Sequence, residues 1–165
     1  MPNMVLAPPT LGREISLKQP YLRMILLTDP TRKELVHALA GLIDAEVART
    51  RGARGLALRH ALRMARSQRP EILKRLVDQL IPEWIEILEP HYEAWSEKGQ
   101  SVSFGRYVST HQDVLARQLL LLVQARVRTS KSRLARTCAR FLQLDTLRPA
   151  LPRFGSIVDT YLAAA

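Results

Sequence analysis

Apolar residues recur at helical spacing along most of this chain, and prolines and glycines mark where that period stops. Pro20 opens a short apolar segment, Tyr21 to Leu27. Asp29 reads as an N-cap with Pro30 at the first helical position. A helix follows in which Leu35, Val36, Leu39, Leu42, Ile43 and Val47 share a face, ending near Thr50 ahead of Gly52 and Gly55. A second helix, about Leu56 to Gln68, carries Leu58, Leu62 and Ala65 on one side. Pro70 opens the next, with Ile72, Leu73, Leu76, Val77, Leu80 and Ile81 as its stripe. Pro82 is expected to break or restart it, since an interior proline removes a donor and clashes with the preceding turn. The continuation to Lys98 buries Trp84, Ile85, Leu88, Tyr92 and Trp95, with a kink or division at Pro90 and a stop at Gly99.

Ser103 is the expected cap of a further helix with Tyr107, Val108, Val114, Leu115, Leu119, Leu122 and Val123 inward, interrupted across the polar stretch Ser109 to Asp113. Four consecutive leucines, Leu119 to Leu122, leave no polar face, which places this helix at the centre of the bundle. After a break at Thr129-Ser130 comes a helix from Lys131 to about Leu144. A last one follows Pro149, with Leu151, Phe154, Ile157, Val158, Tyr161 and Leu162. The pattern predicts an all-α fold: a single compact bundle of about six or seven helices over residues 20–165, with Pro-kinked helices. Residues 1–19, which hold Pro2, Pro8, Pro9 and Gly12, read as a disordered arm whose Met4, Val5, Leu6, Leu11, Ile15 and Leu17 offer apolar anchors for docking. No strand pattern and no internal repeat is present.

Charge changes the picture more than composition does. At 165 residues, 47% hydrophobic and 24% charged, the chain has enough apolar residues to bury one core. Its net charge of +10 points to polyanionic partners. Arg outnumbers Lys 20 to 5; high-GC codon usage explains that ratio, but not the clustering. Arg59, Arg63 and Arg66 form one helical strip, and Arg133, Arg136 and Arg140 another. Between them Glu83, Glu86, Glu89, Glu93 and Glu97 recur on one third of a helix circumference and read as a solvated acidic face, with Glu86, Glu93 and Glu97 as candidate contacts.

Candidate chemistry is sparse. His37, His60, His91 and His111 lie on different elements, and no two have the spacing of a helical metal site. No Gly-x-Ser-x-Gly is present, and Gly155-Ser156 reads as a helix packing point. Arg51-Gly52-Ala53-Arg54-Gly55-Leu56 lacks the long phosphate-binding loop and reads as an interhelical turn. Asp44 and Glu46 are two residues apart, so they point to different sides of their helix. The lone Cys138 excludes an intramolecular disulfide and shares a helical face with Leu134 and Phe141, as a small core thiol does. No catalytic residue, metal or cofactor is expected. There is no signal-peptide pattern, and the leucine run is too short to span a bilayer, so a cytoplasmic location is expected.

Several pieces resemble an uncharacterised family of small all-helical proteins of high-GC bacteria, actinobacteria among them. They are Ile43-Asp44-Ala45-Glu46-Val47-Ala48 followed by Gly52 and Gly55, then Arg69-Pro70-Glu71-Ile72, Leu80-Ile81-Pro82, Leu88-Glu89-Pro90 and Ala150-Leu151-Pro152-Arg153-Phe154-Gly155. The resemblance spans roughly residues 26–163. It implies an all-helical domain and no activity.

Three functional readings follow from the charge. The first is a non-enzymatic interaction or adaptor module, binding an acidic protein or a second copy of itself through segregated charged faces. The second is sequence-independent nucleic-acid binding through phosphates. Ser130 to Arg136 resembles a recognition helix only superficially, and Thr129 stands where that motif often has glycine. The third, an anionic membrane, ranks last because no exposed aromatic is expected beside the arginines. No small-molecule ligand is expected. The interaction module stands ahead of nucleic acid because no base-reading motif is intact.

Overall fold

The computed structural model describes residues 20–165. The arm expected over residues 1–19, with its docking role, lies outside the described residues. Eight helices and no strand occur among the described residues: α1 (Leu22–Leu26), α2 (Thr31–Arg49), α3 (Gly52–Gln68), α4 (Ile72–Glu97), α5 (Phe104–Thr110), α6 (Gln112–Thr129), α7 (Arg133–Phe141) and α8 (Leu144–Ala164).

The all-α bundle is as expected, but several boundaries move. Helix α2 begins at Thr31, and Asp29 does not cap it; Pro30 holds the cap position after a cis Asp29–Pro30 peptide. Helices α7 and α8 divide the last stretch at Leu142 and Gln143, so Pro149 lies inside α8, as Pro152 does, rather than before it. Ser103 caps α5 as expected, accepting from the Arg106 N–H at 3.1 Å, and the polar stretch interrupts the next helix at His111.

The largest departure is α4, one helix of 26 residues that runs through both Pro82 and Pro90. An interior proline disfavours a helix by roughly 3 kcal/mol. Here Ile81, Trp84, Ile85, Leu88 and Tyr92 are buried on either side of the prolines, and each such side chain contributes roughly 1.5–3 kcal/mol on burial. Packing therefore outweighs the local penalty. The carbonyl that Pro82 leaves without an N–H partner, that of Asp78, accepts instead from Arg32 Nη2 of α2 at 3.2 Å, and Arg32 Nε also donates to Asp78 Oδ1 at 2.8 Å.

Helix α4, not α6, is the central element. It packs against α1, α2, α3, α5 and α6. In α6 only Leu115 and Ala116 are buried, and Leu121 is 66% exposed. A run of four leucines wraps all round a helix, so α6 covers the core with one side and leaves the other in solvent. The core draws fully buried side chains from six helices, among them Leu22, Leu35, Leu88, Phe104, Leu115 and Val158. Helix α5 lies on α8 at a glycine crossing. A Cβ on Gly105 would collide with the Gly155 carbonyl and Asp159, and one on Gly155 would sit 2.8 Å from the Gly105 carbonyl oxygen.

Candidate interaction surface

Two arginines of the first strip are engaged within the molecule. Arg59 Nη1 donates to the carbonyls of Val47 and Thr50 at 3.2 and 2.9 Å, closing the C-terminal end of α2. Arg66 Nη2 donates to Asp44 Oδ2 at 2.8 Å, and that bond holds the guanidinium above its ordinary pKa. Both side chains point along α2, because the i and i+7 positions of α3 lie on its flank against that helix. Only Arg63 is exposed with no partner among the described residues. The turn that makes this possible uses both glycines of the Arg51–Leu56 stretch. Gly52 adopts φ +76°, and Gly55 approaches the Thr50 carbonyl so closely that no side chain fits. The stretch is an interhelical turn.

The second strip is exposed. Helix α7 packs on α3 and α6 and buries Leu134, with Cys138 and Phe141 partly buried against the core on the same side. Arg133, Arg136 and Arg140 fall within about 60° on the opposite side, and all three are exposed. A capped turn fixes the helix. Ser132 Oγ accepts from the Ala135 N–H at 3.2 Å, Ser130 Oγ from the Ser132 N–H at 3.0 Å, and Arg136 Nη1 donates to the Ser130 carbonyl at 3.1 Å. No carboxylate among the described residues pairs with these three arginines. Cys138 lies under this helix, and burial pushes its thiol up to about 11, as fits a packing residue rather than a nucleophile.

The acidic stripe on α4 divides in the same way. Glu83 and Glu89 lie about 60° to either side of Glu86, and both turn to partners. Glu83 pairs with Arg126 of α6 at 2.6 Å. Glu89 is buried, contrary to the solvated face expected, and its two carboxylate oxygens accept from the N–H groups of Leu22 and Arg23 at 3.1 and 2.7 Å. Glu86, Glu93 and Glu97 are exposed and have no partner among the described residues.

Ion pairs elsewhere link neighbouring helices: Arg32–Asp78 between α2 and α4, Arg66–Asp44 between α3 and α2, Arg148–Asp113 between α8 and α6, and Arg153–Glu46 between α8 and α2. Asp44 and Glu46 thus serve different helices, as their spacing requires. Sequence reading missed these pairs because each joins residues far apart in the chain. Glu89 did carry a signal, since it follows Ile85 by four and precedes Tyr92 by three, on the edge of the apolar stripe.

Among the described residues no three His, Cys, Asp or Glu side chains converge as a metal site would require. A polar hollow of about 440 Å³ between α5 and α8 is lined by Ser103, Arg106, Ser109 and Asp159 among others; no histidine lines it, and Asp159 there accepts from the Gly105 N–H at 2.8 Å. No helix among the described residues is long and apolar enough to cross a membrane.

A family model described as a family of unknown function, DUF6918, matches residues 22–162, and the chain belongs to that family. No curated protein and no solved structure matches it.

Proposed function

We propose that this family member is a non-enzymatic interaction module, an adaptor that docks an acidic protein surface on the exposed face of α7. One observation carries the reading: Arg133, Arg136 and Arg140 stand exposed without a carboxylate, while Arg32, Arg66, Arg126, Arg148 and Arg153 are engaged between helices. The neighbouring α3 supports a protein rather than a phosphate partner. It exposes Leu56 at 65% and Met64 at 52%, and apolar side chains gain nothing from a phosphate backbone but bury against an amphipathic helix.

Phosphate binding is the second reading, favoured by the same helix: α7 follows a three-residue turn and presents arginine along its whole outer side. Fluorescence anisotropy separates the two, with a Glu-rich amphipathic helical peptide and a short random duplex as probes at ~50 mM salt, where phosphate binding is strongest. The adaptor reading predicts that Arg133→Gln/Arg136→Gln/Arg140→Gln weakens the peptide by about tenfold or more, each exposed pair contributing a few tenths to 1 kcal/mol. It predicts that duplex retention, spread over the whole basic surface, falls less. If the duplex is held more tightly than the peptide and is lost in the triple variant, phosphate binding is the function.

A further inference from the structure

We infer that the acidic surface taken by α7 is the Glu86/Glu93/Glu97 face of a second copy of this chain. The inference rests on the adaptor reading above and names its partner. Both charged faces are exposed, and neither meets an opposite charge within the molecule. They cannot neutralise each other in one chain, because α7 rests on α3 and α6 while the acidic residues lie on the outer side of α4. Complementary faces kept apart within one molecule are satisfied between two.

The spacing of the two strips agrees. Glu93 and Glu97 are four residues apart, as are Arg136 and Arg140, about 6 Å along each helix. Glu86 and Glu93 are seven apart, as are Arg133 and Arg140, about 10.5 Å. Two helices laid side by side can therefore align two opposite pairs at a time, Glu86 with Arg133 and Glu93 with Arg140, or Glu93 with Arg136 and Glu97 with Arg140. Glu86, Glu93 and Glu97 stay within about 40° of one another, narrow enough to face a single partner helix. The contact joins two different patches, so it is heterologous. Exposed ion pairs each change an equilibrium constant by only about two- to fivefold. The association is accordingly weak and is screened once the Debye length falls well below the ~10 Å of 0.1 M salt.

Sedimentation velocity of the full chain at ~20 mM and ~500 mM salt tests this. The inference predicts a weight-average mass above the 18.7 kDa monomer at low salt, falling to the monomer at high salt. Two charge-reversed variants sharpen the test: Arg133→Glu/Arg136→Glu/Arg140→Glu and Glu86→Arg/Glu93→Arg/Glu97→Arg. Each is monomeric alone, since its two faces now carry like charge. Mixed in equal amounts they associate, with both contacts again of opposite sign. General attraction does not explain that result, because both variants remain net positive when three residues are reversed from a net +10. The corresponding Gln variants, with helical content checked by circular dichroism, replace any reversed variant that fails to fold; each is expected to lose association alone.

Wild-type protein that stays monomeric at millimolar concentration in low salt overturns the inference. So does association that both triple variants leave intact, or a mixture that stays monomeric. If in those cases the Glu-rich peptide still binds through α7, the adaptor reading stands and only the second copy falls. If the peptide also fails to bind, both fall.

Discussion

At Glu89 a carboxylate sits among Ile85, Leu88 and Tyr92 and remains buried because two backbone N–H groups satisfy it. Buried donors that lose an ionised acceptor forfeit roughly 1.5–3 kcal/mol. Glu89→Ala is therefore expected to lower the melting temperature by roughly 3–12 °C, at about 2–4 °C per kcal/mol for a chain of this size; an unchanged value would show that α1 does not depend on it. Cys138 gives a chemical prediction. With its thiol raised from 9.0 to about 11 by burial, it is protonated at neutral pH and should react with iodoacetamide far more slowly in the folded protein than in urea. The sign for stability follows: the folded state keeps a proton that the unfolded state releases, so this group's contribution is lost as pH rises from about 9 through about 11.

At the scale of elements, α4 shows what periodicity shows and what it hides. The apolar stripes on both sides of Pro82 and Pro90 were legible, and so was the all-helical class. Continuity through the prolines was not, because the residue that supplies the missing bond, Arg32, lies on α2. A double-mutant cycle tests that account. Arg32→Ala should destabilise by about 1–2 kcal/mol in the native background and by clearly less with Pro82→Ala, where an N–H returns to the Asp78 carbonyl. Equal losses in both backgrounds would show that Arg32 does not compensate for the proline. The α5–α8 crossing was legible only as a packing point at Gly155; its partner Gly105 was not, since nothing local distinguishes a glycine facing another helix. Gly105→Ala should destabilise by about 1–3 kcal/mol in thermal unfolding, because the added methyl meets the Gly155 carbonyl, which cannot swing away, as well as the Asp159 carboxylate that accepts from the Gly105 N–H.

For the molecule as a whole, the two arginine strips look alike in sequence and differ in the fold. The spacing of Arg59, Arg63 and Arg66 places them together on one side of α3, but whether that side meets solvent or α2 is a property of helix packing that spacing does not contain. The same applies to Glu83 and Glu89, which leave the acidic stripe as three exposed carboxylates instead of five. The α7 strip was legible as a strip opposite Leu134, Cys138 and Phe141, but its exposure was not, for the same reason. The net +10 thus divides into arginines that hold helices together and arginines that face outward.

That division is tested most directly by the affinity for the Glu-rich peptide of two variants measured side by side: Arg59→Gln/Arg66→Gln and Arg133→Gln/Arg136→Gln/Arg140→Gln. The account predicts that the α3 pair binds within about twofold of wild type, its effect confined to stability, while the α7 triple loses about tenfold or more with unchanged helical content. Equal losses in the two variants, or a larger loss from the α3 pair, would contradict it.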